Sequence, residues 1–239
     1  MKRALVTGGS GGIGAAICRR LAADGSHVYI HANRGLQIAQ ALAEEINTGG
    51  GHAEALSFDV TDTTAAEAVL LPLVDEEPIQ ILVNNAGIHD DAVFPGMSAQ
   101  QWHSVIDVSV HGFYNVTHPL MMPMIRSRWG RIINVSSISG ITGNRGQVNY
   151  SAAKGALNSA TKALAQEVAS RGITVNAVAP GIIETSMSES TFPAEEIARM
   201  VPMKRAGTPT EVADLIGFLA SEQAAYISGQ IISINGAMI

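Results

Sequence analysis

The sequence predicts an α/β fold, a doubly wound parallel sheet of about seven strands with helices on both faces, formed by a single domain over residues 1–239. Three observations carry that prediction. Short apolar runs alternate with helical stretches along almost the whole chain, the pattern of strands joined by helical crossovers. Runs such as Ala4-Leu5-Val6 and Ile81-Leu82-Val83 are apolar at every position, as strands covered on both faces are. With 239 residues, 46% of them hydrophobic and 15% charged, the chain supplies one sizeable core and too little length for two comfortable domains.

Residues 3–7 form the first strand, which runs into Gly8-Gly9-Ser10-Gly11-Gly12-Ile13-Gly14, and Ala15–Ala23 is helical after it. A strand, a glycine-rich turn and a helix open a Rossmann-type dinucleotide-binding unit. Glycine lets the backbone close on a pyrophosphate, whose charge then rests on the amides and the positive dipole of the helix N-terminus. A plain turn is the bland alternative, and the place of Gly8, Gly12 and Gly14 between strand and helix favours the cofactor.

His27–His31 is the second strand, followed by Ala32-Asn33-Arg34 and a helix over 36–46. The end of this strand holds no acidic residue to grip the ribose hydroxyls of NAD, whereas Arg34 with Asn33 can meet a 2'-phosphate, which points to NADPH rather than NADH; a solvated loop arginine is the bland alternative. Ala53–Phe58 is the third strand. Asp59, at its tip beside Val60, can accept a hydrogen bond from an adenine amino group, and Thr61 or Asp62 can cap the next helix. The fourth strand, 79–83, enters Asn84-Asn85-Ala86-Gly87, small and amide residues that suit close approach to a ribose or a simple turn.

Residues 99–128 read as mostly helical, with breaks or kinks expected at Pro119 and Pro123. Met121, Met122 and Met124 read as packing in the core or between subunits. Arg131–Val135 is the fifth strand and ends at Ser136-Ser137, on the side of the sheet where ligands of such folds bind. A loop containing Gly140, Gly143 and Gly146 leads to a helix over 150–170. A strand over 173–178 ends at Pro180-Gly181. Residues 183–209, polar and irregular, read as a mobile substrate flap. A helix over 210–220 and a last strand over 230–234 complete the order.

The chemistry centres on Tyr150 and Lys154. In a helix they share a face, four residues apart, where an ammonium can favour phenolate and pull the phenol below its ordinary value near ~10. Composition excludes other classes. The net charge of -6, with no run of Lys or Arg, argues against nucleic acid or an anionic membrane as partner. Lys2 and Arg3 precede an apolar stretch that Gly8 and Gly9 interrupt, so no export signal is read there, and no apolar window is long enough to cross a bilayer. Cys18, the single cysteine, can form no intramolecular disulfide, and no metal site is expected. Both fit a cytoplasmic protein.

With the glycine turn, Asn84-Asn85-Ala86-Gly87, Ser137, Tyr150, Lys154 and Pro180-Gly181 all in order, the chain resembles the short-chain dehydrogenase/reductase family over essentially its whole length. Within that family it is most similar to 3-oxoacyl-[acyl-carrier-protein] reductases, through Gly143–Tyr150, Glu167–Asn176, Ala179–Met187 and Ala224–Gly229. The resemblance implies that Tyr150 donates a proton to a ketone oxygen, that Ser137 hydrogen-bonds that oxygen, and that Lys154 lowers the Tyr150 value while holding the nicotinamide ribose. It implies that Gly8, Ser10, Gly12, Ile13 and Gly14 surround the phosphates, and that Asp59 and Val60 meet the adenine. Asn84, Ala86 and Gly87 then line the ribose region, and Ile183 and Thr185, beyond Pro180 and Gly181, hold the nicotinamide amide. It places carrier-docking cations at Arg128 and Arg171, and implies a homotetramer acting on an acyl carrier protein substrate.

Two departures stand out. The family carries an arginine where Gly11 stands, so NADPH preference leans on Arg34. The family's active-site asparagine, which supports a water in a proton relay to the lysine, falls on Ser109. Asn115 cannot replace it, because six helical residues turn 600° and leave it about 120° off that face. A reductase of other carbonyls (acetoacetyl-CoA, a sugar or a steroid) is the enzymatic alternative. A catalytically weak NADP(H)-binding subunit of an enzyme assembly is the alternative of another class.

Overall fold

The computed structural model describes residues 1–184 and 193–239. Its strands are β1 (Arg3–Val6), β2 (His27–Ala32), β3 (His52–Ser57), β4 (Ile81–Asn84), β5 (Gly130–Val135), β6 (Ile173–Pro180) and β7 (Ile231–Ile234). Every pairing is parallel, and the seven-stranded order is β3-β2-β1-β4-β5-β6-β7. The α-helices are α1 (Gly12–Ala23), α2 (Leu36–Thr48), α3 (Thr63–Glu76), α4 (Ala99–Ile106), α5 (Gly112–Ser127), α6 (Ser139–Thr142), α7 (Val148–Val168), α8 (Ala194–Met200) and α9 (Pro209–Ala220).

The two-residue period of a strand sorts its side chains between two cores. Ala4, Val6, Val28, Ile30 and Val83 face Ile17 and Leu21 of α1, Leu42 of α2, and Val212 and Ile216 of α9. The intervening residues Leu5, Tyr29, Leu82 and Ile132 face Leu70 of α3, Val116, Leu120 and Met124 of α5, and Val168 of α7. Both faces of the central strands β1, β4, β5 and β6 are therefore dry, which explains why runs such as Ala4-Leu5-Val6 and Ile81-Leu82-Val83 are apolar throughout. Burying each such Leu, Ile or Val contributes about 1.5–3 kcal/mol relative to exposure.

Of the breaks or kinks expected at Pro119 and Pro123, no break occurs, since α5 runs through both. The stripe Val116, Leu120 and Met124, each fully buried, holds the helix on the sheet despite two missing amide donors. The irregularity lies earlier, in a π-helical turn over Asp107–His111 that joins α4 to α5. The segment over 183–209 is less irregular than its composition suggests. Its described part contains α8, with Glu195 and Glu196 in the first turn and Arg199 in the last, as the helix dipole favours. Glu184 N–H and Gly207 N–H bond across to Gly207 and Ile182 carbonyls, and Val201 and Ala206 are buried. Residues 185–192 of that segment lie outside the described residues.

The strand order reverses between β1 and β4, whose chains leave toward opposite sides of the sheet. A crevice opens at the carboxyl ends of two such strands, and this topology is what positions the site.

Candidate active site

The glycine turn sits at that reversal. Gly8 has a φ of +62°, a left-handed conformation natural to glycine, and a Cβ on Gly14 would lie 2.2 Å from the Gly8 carbonyl oxygen. α1 begins with no side-chain cap and no acidic residue in its first turn, so its amides and dipole face an incoming anion. The turn is stitched to the end of β4. Thr7 Oγ1 accepts the Asn85 and Ala86 amides at 3.0 Å each, and Asn85 Nδ2 donates to the carbonyls of Thr7 at 2.9 Å and Gly8 at 3.0 Å. Thr7 and Asn85 were not singled out from the sequence. The double-asparagine motif was the available signal, but which of its amides does the stitching is decided by the register of β1 on β4.

Around the turn, the predicted cofactor residues gather at two places. The Ser10 hydroxyl lies against Gly35, next to Arg34. Asn33 lies close to the Asp59 carboxylate, while Thr61 donates both its amide and its hydroxyl to that group, at 2.9 and 2.8 Å. The Thr61 bonds, ahead of Asn33 and the Arg34 charge, hold the Asp59 carboxyl below the usual carboxylate range. Gly87 faces Lys154, since a Cβ there would lie 3.2 Å from Nζ. A dinucleotide fits these residues: a glycine cradle that a Cβ would fill, uncapped helix amides, and a guanidinium with no acidic residue at the end of β2.

Some of the predicted contacts are turned inward. The Asn84 amide donates to Thr117 Oγ1 at 3.1 Å and to Asn134 Oδ1 at 2.9 Å, and Asn134 in turn donates to Thr161 Oγ1 at 2.8 Å. The Asn84 side chain thus braces β4 to α5 and β5, and through Asn134 to α7, leaving its backbone for any ligand. Val60 is buried in the second core, and its carbonyl accepts Asn115 Nδ2 at 2.9 Å. Pro180 ends β6 and its carbonyl accepts the Ile138 amide at 3.0 Å. A Cβ on Gly181 would come within 2.8 Å of Asn235, so that glycine serves packing. Ile183 is buried, Ile13 packs against the first core, and Thr185 lies outside the described residues.

The reactive groups converge where β5 gives way to α7. Ser137 Oγ accepts the Ser139 amide at 3.1 Å and lies close to the Tyr150 phenol. Lys154 is 3% exposed, donates to the Val135 carbonyl at 2.8 Å and lies 5.6 Å from the Tyr150 ring centre. Burial lowers its ammonium from 10.5 to about 8. The expected effect of Lys154 on the phenol is not present in the chain by itself. Burial pushes the Tyr150 phenol above its ordinary value, the Ser137 hydroxyl pulls it back in part, and the Asp91 carboxylate adds to the rise. Nζ points to a backbone carbonyl and over the ring, not at the hydroxyl, which explains the difference.

A polar clamp fixes this helix start. Gln147 Nε2 donates to Asp91 Oδ2 at 2.8 Å, and Asn149 Nδ2 donates to the carbonyls of Asp90 and Gln101 at 3.0 and 2.9 Å. The Asn149 Oδ1 receives the Tyr150 amide at 2.8 Å. Asp91 and Gln147 are 56 positions apart, and no spacing announces them.

Ser109 sits in the π-helical turn, 3% exposed, on the wall of a small cavity also lined by Thr7, Asn84, Ala86 and Phe113. Its hydroxyl has no hydrogen-bond partner among the described residues. Asn115 is engaged elsewhere, by Val60 and by Thr63 Oγ1 at 2.9 Å, so it does not substitute for it. Arg128 and Arg171 share one corner, with Arg128 Nη2 donating to the Ser170 carbonyl at 3.2 Å. They precede β5 and β6, so they lie at the amino ends of the strands, roughly 20 Å of strand away from the catalytic ends.

Comparison with known proteins agrees with this geometry. The family model described as short chain dehydrogenase matches residues 2–196. The chain is 44% identical over 236 residues to the 3-oxoacyl-[acyl-carrier-protein] reductase of Aggregatibacter actinomycetemcomitans, covering 98% of each chain. It is 45% identical over 245 residues to the enzyme of the same name from Aquifex aeolicus, covering 99% of this chain and 97% of that one. It is also 42% identical over 240 residues to nodulation protein G of a Rhizobium species, covering 99% and 96%. This chain has a glycine cradle at the switch point of a seven-stranded parallel sheet, with a serine, a tyrosine and a buried lysine beside it, and it matches the family model and full-length relatives: it belongs to the short-chain dehydrogenase family and is a nicotinamide-dependent oxidoreductase.

Proposed function

We propose that the protein reduces a 3-oxoacyl thioester carried on acyl carrier protein to the 3-hydroxyacyl form, with NADPH as reductant and Tyr150 as proton donor. The observation that carries the chemistry is the approach of the Ser137 hydroxyl to the Tyr150 phenol beside a buried Lys154 at the carboxyl ends of the strands. The full-length likeness to reductases named for that substrate supports the substrate class. Bound NADPH supplies the hydride that reaches the ketone carbon.

This chain's residues do the rest. The Ser137 hydroxyl, oriented by the Ser139 amide, donates to the carbonyl oxygen as charge develops there. Tyr150, whose burial keeps it protonated at neutral pH, transfers its proton to the same oxygen. Lys154, at about 8, remains charged near neutrality, and its ammonium beside the Tyr150 ring stabilises the phenolate that results. Its remaining N–H groups, beside Gly87, are placed for the nicotinamide ribose, and the Ser109 hydroxyl can hold a water in the cavity behind. Arg34 with Asn33 and Ser10 takes the 2'-phosphate.

In this reading one domain over residues 1–239 works in the cytoplasm as a homotetramer. Exposed Tyr114 and Met122 on α5, and Tyr226 near the C-terminus, supply apolar surface for subunit contacts. Arg128 and Arg171 receive the acidic carrier.

The test is NADPH consumption with a 3-oxoacyl group on carrier protein, on coenzyme A, and with sugar and steroid ketones, NADH being run alongside. The proposal expects kcat/KM to be highest for the carrier thioester with NADPH, and lower after Arg128→Ala or Arg171→Ala. Turnover of a sugar or steroid ketone in preference to any thioester would refute it.

A further inference from the structure

His31 is a buried histidine that the reaction does not use. It is 1% exposed near the end of β2, its ring packed on Phe58 at 4.2 Å between centres. Nδ1 accepts the Gly8 amide at 3.1 Å, and Nε2 lies 2.8 Å from the Phe58 carbonyl oxygen. The amide can only donate and the carbonyl can only accept, so the ring is the neutral tautomer with its proton on Nε2. The His31 carbonyl accepts the next amide of the turn, Gly9, at 2.8 Å. One residue therefore holds two successive amides of the glycine turn, and ties that turn to the residue just before Asp59. The left-handed backbone of Gly8 begins at the amide this ring holds.

A second proton on the ring would go to Nδ1 and set N–H against N–H at Gly8, inside a site with little water. The charged groups near the ring are few. Asp59, at the tip of β3, favours the protonated ring, with Arg34 offsetting Asp59 from the loop after β2. Cys18, from α1, lies by the Gly9 carbonyl and is neutral. Burial outweighs both the bond to the Phe58 carbonyl and the Asp59 charge, so the ring takes its second proton below its ordinary value.

We propose that His31 is a positioning residue for the dinucleotide turn, a neutral imidazole strut whose protonation loosens the cofactor cradle, so that cofactor affinity falls on acidification through this one ring. The inference rests on the reading of the turn as the dinucleotide site. It concerns the turn's backbone and not the proton chemistry at Tyr150.

The test is the dissociation constant of NADPH, followed by nucleotide fluorescence, from about pH 7.5 to about pH 5 for the intact wild-type protein, His31→Asn and His31→Phe. His31→Asn keeps an acceptor for Gly8 and cannot titrate. The 2'-phosphate of NADPH itself titrates near ~6, so the readout is the wild type relative to His31→Asn, in which that contribution cancels. The expected result is equal affinity within about threefold at pH 7.5, and a wild-type affinity at least about threefold weaker than that of His31→Asn at pH 5. His31→Phe should weaken binding at every pH while leaving kcat at saturating NADPH within about threefold of wild type. NADH lacks the 2'-phosphate, so its binding to the wild type alone must weaken over the same range, an arm that needs no variant to fold. Parallel curves for wild type and His31→Asn, or NADH binding that is flat with pH, would overturn the inference. Failure of the wild type to bind either dinucleotide at pH 7.5 would instead overturn the reading of the turn on which it rests.

Discussion

Replacing Lys154 with methionine separates the energetics of the site from its chemistry. The ammonium is 3% exposed and burial lowers it from 10.5 to about 8, a penalty on the charged form of about 3 kcal/mol. Methionine removes that penalty but leaves the Val135 carbonyl without its 2.8 Å donor, a loss of about 1–3 kcal/mol. At neutral pH the two terms nearly cancel, so Lys154→Met should alter stability by less than about 2 kcal/mol while abolishing turnover. The pH dependence exposes the buried charge. Below about pH 8 the lysine is protonated in both folded and unfolded wild-type chains, and its contribution is flat. Between about 8 and 10.5 the unfolded chain holds a proton that the folded chain has released, so wild-type stability rises relative to the variant, by up to ~1.4 kcal/mol per pH unit. Tyr150 is present in both proteins and cancels to first order. Urea unfolding of both proteins at one subunit concentration, at about pH 7 and about pH 10, should show the difference moving toward the wild type by about 2–3 kcal/mol. A difference that does not change with pH would refute the reasoning, since it would mean that the lysine is not desolvated in the folded state.

Other perturbations probe the rest of the account. Gly14→Ala places a methyl 2.2 Å from the Gly8 oxygen, so NADPH affinity measured by titration should fall more than about tenfold. Asn134→Leu removes one of two bonds from Asn84 Nδ2 and from Thr161 Oγ1, which keep Thr117 Oγ1 and the Leu157 carbonyl, and denaturant unfolding should register a loss of about 0.5–1.5 kcal/mol. Cys18 is buried and its thiol is pushed far up by desolvation, so a thiol reagent should label it only when urea unfolds the chain.

The fold was legible because its determinants are local. Two-residue strand periodicity, the glycine turn and the alternation of elements are written in contiguous residues, and Tyr150 and Lys154 fall on one helical turn wherever that helix packs. Features that depend on register were not legible. The Pro119 and Pro123 breaks were read from intrinsic propensity, whereas the buried stripe of Val116, Leu120 and Met124 decides that α5 is continuous. The π-helical turn at Asp107–His111 leaves no residue signature, although it sets where Ser109 points. α8 was missed even though its signals were present: Pro193, two acidic residues in the first turn and Arg199 in the last. The Asp91–Gln147 bond and the His31 strut join residues far apart in sequence, and only the folded loops bring them together. The downward shift of Tyr150 was read from the charges of Lys154 and a bound nicotinamide cation, whereas in the chain by itself burial dominates and raises the phenol.

The most direct test of the central claim is a single-turnover reduction of a carrier-bound 3-oxoacyl thioester by excess wild-type protein and by Tyr150→Phe, with NADPH bound in both. The account predicts stoichiometric 3-hydroxyacyl product from the wild type. It predicts a rate lower by about 10²–10⁴-fold in the variant, with the NADPH dissociation constant unchanged within about threefold. A variant that reduces the thioester at the wild-type rate would contradict the assignment of Tyr150 as the proton donor.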